Sequence, residues 1–174
     1  MKTTGPLLIW RPKMAATANS IITPQTINEP AVNVLLSTAM TSTKALDGTE
    51  AAGTSMGLVF TAGANGSQLP PLRVKVSSTN GAATPSGTTT ATVVRVWLNK
   101  APTGVNTTAA NNIYLDELAV PATLYSTTAA TTTLSLDFSN LVIPAGWKVY
   151  AGMTSTLTVA GAALCVSMPG GGDL

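Results

Sequence analysis

Apolar and polar residues alternate along much of this chain with a period of two. Leu72, Val74 and Val76 alternate with Arg73 and Lys75, and Leu134, Leu136 and Phe138 alternate with Ser135 and Asp137. Successive side chains of a strand point to opposite faces, so this pattern predicts strands with one buried and one wet side. The longest candidate spans 90–98, where Val94, Val96 and Leu98 should face a core while Val93, Arg95 and Trp97 share the other face. Further extended runs lie at 31–36, 57–61, 113–115, 142–143, 147–151 and 156–168, the last with a bend at Gly161. Turn signals separate them at 62–66 and at Asn80-Gly81. The best helix candidate, 113–119, is cut short by Val120-Pro121. About eight short strands at this spacing predict an all-β sandwich or barrel. Three Ser/Thr/Gly/Ala-rich stretches, 37–55, 82–89 and 101–112, lack the pattern and read as loops, where binding usually resides.

Composition supports that reading. A chain of 174 residues is long enough to bury a core as one domain. Hydrophobic residues make up 45% and aromatics only 5%, so the apolar surface is carried by small side chains that suit a pleated sheet. Charged residues make up 9%, against roughly 25% in ordinary soluble domains. A surface of Thr, Ser, Asn and Ala is weakly solvated, and the expectation is that part of it meets other protein. A monomer with a neutral polar surface is the alternative.

Charge and cysteine add detail. The net charge of +2 is too small to argue for a nucleic-acid partner. Lys2, Arg11 and Lys13 precede the first acid, Glu29, so the first residues form a short basic arm. That arm either docks on an acidic surface or is a solvated terminus. Met14 is a second plausible translation start, which would remove the arm. Leu7-Leu8-Ile9-Trp10 is too short an apolar run for a signal peptide, and no segment approaches the 18 apolar residues of a membrane span. The lone Cys165 lies in an apolar run and is expected to be a small buried hydrophobe. Two sequons, at Asn65 and Asn106, are the chance matches expected of a Thr-rich chain.

The usual chemistry lacks its residues. The chain has no histidine, the commonest general base and metal ligand near neutral pH. One cysteine cannot supply a zinc site. Asp116 and Glu117 are adjacent, but in an extended segment they point apart. Asp47 and Glu50 sit in a loop and read as solvated charge rather than as a Ca²⁺ cage. Lys44 and Lys148 have no serine motif beside them, and Gly63-Ala64-Asn65-Gly66 lacks the lysine and helix of a phosphate loop. The expectation is no enzyme, no cofactor, no metal and no small-molecule substrate. Trp97, with Tyr114 and loop 101–112, is the one candidate stacking surface for a sugar, although a tryptophan on a strand more often packs against another layer. Trp147 is expected to close the core at a turn.

Three phrases, in order, carry a family resemblance: Asn19-Ser20-Ile21-Ile22-Thr23-Pro24-Gln25, then 58–67 (LVFTAGANGS), then 141–151 (LVIPAGWKVYA). Together they resemble capsid decoration, or cement, proteins of tailed bacteriophages, over roughly residues 19–168. The resemblance implies a single antiparallel β-sandwich, jelly-roll-like, working as a homo-oligomer (dimer or trimer) on the capsid exterior and bridging subunits of the major capsid protein. It transfers no active-site residue. The organisation expected is an extended arm at 1–18, a β-sandwich at 19–168 and a flexible tail at 169–174. Leu7, Leu8, Ile9 and Trp10 would be apolar anchors of the arm, with Arg11 and Lys13 meeting carboxylates. The alternatives are a receptor- or glycan-binding module of a phage fibre or tail, using Trp97 and Tyr114, and a head-completion or tail subunit.

Overall fold

The period-two stretches pair into antiparallel ladders. A computed structural model describes residues 26–27, 33–78, 87–100, 106–126, 130–170 and 172–173. In chain order its strands are β1 (Thr26–Ile27), β2 (Val34–Leu36), β3 (Met56–Thr61), β4 (Ser67–Gln68), β5 (Leu72–Ser78), β6 (Gly87–Thr88) and β7 (Thr92–Asn99). They continue with β8 (Asn112–Val120), β9 (Leu124–Tyr125), β10 (Thr133–Leu136), β11 (Val142–Ile143), β12 (Lys148–Met153), β13 (Ala162–Ser167) and β14 (Gly172–Asp173). One helical turn, α1 (Lys44–Asp47), lies between β2 and β3.

Six of the strands are only two residues long, which is why the sequence shows about eight. The eight longer ones build two sheets, ordered β10-β5-β13-β2 and β3-β12-β7-β8. Consecutive long strands switch sheets at every step except the β7–β8 hairpin. That is the strand order of a jelly roll, a double sheet of two Greek keys. The short strands tie the connections together. β1, β14, β4 and β11 form a small sheet at one end, and β6 pairs with β9 at the other.

The inner faces of the two long sheets share one core. Leu72, Val74, Val76, Leu164 and Val166 come from the first sheet, and Val94, Val96, Leu98, Val149 and Ala151 from the second. Arg73 and Lys75 alternate outward, as the pattern predicts. Trp147 packs against this core just after Gly146, whose φ of 72° makes the turn.

The second sheet also buries its outer face. Met56, Trp97 and Tyr150 point away from the main core and join Met40 and Ala45 in a second apolar cluster, with Leu58 packed against it. Met40 and Ala45 belong to the 37–55 segment, so this stretch is a roof over the sheet rather than a free loop. Trp97 is 1% exposed. It lies against Gly48, where a Cβ would come within 2.7 Å of the ring and where φ is 71°. Only glycine meets both demands at low cost.

Three expectations need correction. The segment 113–119 is strand throughout, and β8 runs far beyond 113–115. A bulge between Val96 and Trp97 shifts the register, so Leu115 and Leu118 both reach the main core three positions apart. That spacing breaks the strand alternation and mimics a helix. At the C-terminus, 156–161 is a bent connection and only β13 is strand. The segment 169–174, expected to be a flexible tail, contains β14, which pairs with both β1 and β4.

Trp97→Ala should lower the unfolding free energy by about 3–5 kcal/mol, read from urea denaturation, because it empties the second cluster. Gly48→Ala should cost about 2 kcal/mol, because it puts a side chain into a left-handed backbone against the ring. A loss below about 1 kcal/mol for Trp97→Ala would contradict the packed roof.

Candidate interaction surface

The roof is held by hydrogen bonds to the strands beneath it and to the connections beside them. At one end Ala39 N donates to Thr156 Oγ1 at 2.8 Å, and Met40 N donates to the Met153 carbonyl at 2.8 Å. Over the middle, Arg95 Nη1 donates to the Ala45 carbonyl at 2.6 Å. At the far end Asn112 Nδ2 donates to the Asp47 carbonyl at 3.0 Å, and Asn106 Nδ2 donates to the Gly48 carbonyl at 2.8 Å. Asn106 is 1% exposed and also reaches the Glu50 carbonyl and Met56 Sδ. A sequon asparagine buried in this way is not presented for glycosylation. Residues 101–105 of the neighbouring loop lie outside the described residues.

Glu50 closes the roof on itself. Its carboxylate accepts from Thr41 N at 2.9 Å and from Lys44 Nζ at 3.4 Å. The Thr41 hydrogen bond, helped by Lys44, holds its pKa below the ordinary value despite partial burial. Asp47 instead accepts from the Thr49 hydroxyl and backbone, which lowers its pKa in the same way. The two carboxylates therefore serve the loop's own turns.

The candidate stacking pair, Trp97 and Tyr114, is split between the core and the surface. The tryptophan is buried, and the half-exposed tyrosine meets it edge-on at 6.3 Å with an interplanar angle of 76°. The Tyr114 hydroxyl pKa is raised by burial and by its hydrogen bond to Glu117. Glu117 in turn pairs with Arg95 at 3.2 Å. Asp116 accepts from the Glu117 backbone N–H at 2.8 Å. No group of three or more metal-binding side chains occurs among the described residues.

The outer face of the first sheet is built differently. Arg73 stands between Ser135 and Ser167, and Lys75 between Thr133 and Cys165. Leu35 extends the row through its pairing with Cys165. Cys165 is half-buried on this outer face, not a core residue. Burial pushes its thiol pKa up, and nearby Lys75 opposes that shift. Two open clefts flank the sheets. One, of 320 Å³, is lined by apolar residues such as Val93, Ala119 and Pro121. The other, of 300 Å³, lies between Lys75, Ser77, Tyr125 and Thr131. The arm residues Leu7, Leu8, Ile9, Trp10, Arg11 and Lys13 lie outside the described residues.

The role of the roof escapes a reading of pattern alone, because its contacts are mostly backbone carbonyls. The Asp47-Gly48-Thr49 turn and the flanking Met40 and Met56 are its only sequence signals.

Two outcomes are expected. Because the Glu50 pKa is lowered on folding, its stabilising contribution is present above the unfolded value near 4.5 and is lost as pH falls through the lower folded value. Thermal melts from pH 7 to pH 3 should show this loss, and Glu50→Gln should flatten it; an unchanged slope would contradict the role. Cys165 should react with iodoacetamide more slowly than a free thiol at pH 7.5, since its thiolate is disfavoured.

Comparison with known proteins adds little. No family model matches the chain, and no curated protein matches it. Among solved structures it is similar to a chain from Desmodium yellow mottle tymovirus, at 13% identity over 87% of this chain and 92% of that one, with a TM-score of 0.27. A likeness that loose leaves the strand order to speak for the fold.

Proposed function

We propose that this chain is a structural protein of a virion, and more narrowly a decoration protein. It would bind the outside of a bacteriophage capsid and stabilise it by bridging subunits of the major capsid protein. The observation that carries this reading is the two-sheet jelly roll itself. That architecture serves chiefly viral shells, lectins and cupins. Fold alone does not decide function, so the surface must. A cupin holds its metal largely through histidines, and this chain has none. An aromatic stacking site of the kind many lectins use would here rest on Tyr114 alone, since Trp97 is buried. What remains is a rigid block with a sparsely charged surface, which suits a protein whose task is contact area.

The size of the contact also fits. Cementing demands many modest contacts rather than one chemical group, and a stable interface buries roughly 800 Å² per partner. The outer face of the four-stranded β10-β5-β13-β2 sheet would supply that contact. The basic, apolar arm ahead of the domain would add a second attachment to the shell or to a neighbouring copy, consistent with a dimer or trimer.

The test is co-sedimentation of the purified chain with heads of the encoding phage prepared without it. Saturable binding at a fixed ratio per capsomer, with heads that withstand higher temperature, is the expected result. Absence of the chain from the pellet at saturating concentration would contradict the proposal. Deleting residues 1–13 should weaken binding at least about tenfold while leaving the thermal midpoint unchanged.

A further inference from the structure

The two broad faces of the sandwich differ in what covers them. Met56, Tyr150 and Trp97, on the outer face of β3, β12 and β7, lie under the roof formed by 37–55, and Tyr114 and Glu117 on the edge strand β8 stand exposed beside it. On the outer face of β10-β5-β13-β2, Leu35, Arg73, Lys75, Thr133 and Ser135 are exposed. Short side chains, Thr133, Ser135, Cys165 and Ser167, flank two cations set two positions apart on β5. Neither cation has a carboxylate partner among the described residues, where the ion pairs are Lys44–Glu50 and Arg95–Glu117. Asp137, just past the end of β10, accepts from Ser139 N instead. Asp47, Glu50 and Glu117 all belong to the roofed side, in the roof itself or on β8 beside it.

We propose that this bare face, centred on Arg73 and Lys75, is the docking surface, and that its occupant is a flat, carboxylate-bearing face of another protein. The inference rests on the shell-binding reading and names the side of the molecule that meets the shell. Charge decides the occupant. Two copies set face to face would oppose Arg73 and Lys75 to their own counterparts, which like-charge repulsion disfavours. A nucleic acid is ill served by two cations without an aromatic on the face, because phosphate binding needs many cations and base binding needs stacking. A protein face with a few carboxylates matches two unpaired cations set among hydroxyls, with Leu35 adding apolar contact.

The test compares Arg73→Glu and Lys75→Glu with Lys100→Glu, a charge change of equal size on an exposed residue at the end of β7. Each variant is first shown to melt like the parent, then titrated against undecorated heads. Reversal at Arg73 or Lys75 should weaken binding by about tenfold or more, with Lys100→Glu within about twofold of the parent. Parental affinity that falls as salt rises would agree. Parental binding in both face variants would overturn the inference while leaving the shell-binding reading standing. Absence of head binding by the parent chain would sink that reading first, and the docking face with it. A single-stranded DNA oligonucleotide bound by the parent and lost in Lys75→Glu would assign the face to nucleic acid and overturn the inference.

Discussion

The rest of the structure depends on a sheet whose strands β3, β12 and β7 are buried on both sides. The β3-β12-β7-β8 sheet presents Val94, Val96 and Leu98 inward and Trp97, Met56 and Tyr150 outward, so it needs two apolar covers. The other sheet supplies one. The chain's own 37–55 segment supplies the other, and it fits only because Gly48 lets the backbone lie directly on the indole ring. Burying a side chain as large as Trp97 removes roughly 150–250 Å² from water, more than any other single contact of the roof contributes. The hydrogen bonds from Arg95, Asn106 and Asn112 then fix where the roof lies. They satisfy backbone carbonyls that the roof would otherwise leave unpaired.

That arrangement gives the sandwich two unlike sides. One is closed by the protein itself and holds its carboxylates in internal contacts, such as Glu50 with Thr41 and Glu117 with Arg95. On the other, Leu35, Arg73, Lys75, Thr133 and Ser135 are exposed among the described residues. A shell-binding protein needs such an asymmetry, because it has one side to attach and one side to leave in solvent. Few charges and few large aromatics are consistent with a molecule that works through area and rigidity.

Much of the sheet architecture is legible in the chain, because period-two burial is a strong signal wherever one face is wet. β5 shows it plainly, with Leu72, Val74 and Val76 in and Arg73 and Lys75 out. The signal fails where geometry departs from a regular ladder. At β8 the bulge puts Leu115 and Leu118 on one side, and the alternation dissolves. The two-residue strands are too short to carry any period. Trp97 misleads for a different reason: its neighbour Arg95 suggests a wet face, yet both lie beneath a segment whose covering role depends on backbone carbonyls. Cys165 misleads in the reverse sense, since an apolar run on β13 alternates between core and outer face. The docking residues Arg73 and Lys75 are visible in the chain as ordinary solvated charge. Only the sheet register shows that they share an outer face with exposed Leu35, Thr133 and Ser135.

Cryo-electron microscopy of heads carrying the bound chain tests this account most directly. An added jelly roll is expected on the outer surface of the shell, seated with the β10-β5-β13-β2 face inward and the α1-bearing roof turned to solvent. A subunit seated through the roofed face, or one found within the tail or a fibre rather than on the shell, would contradict it.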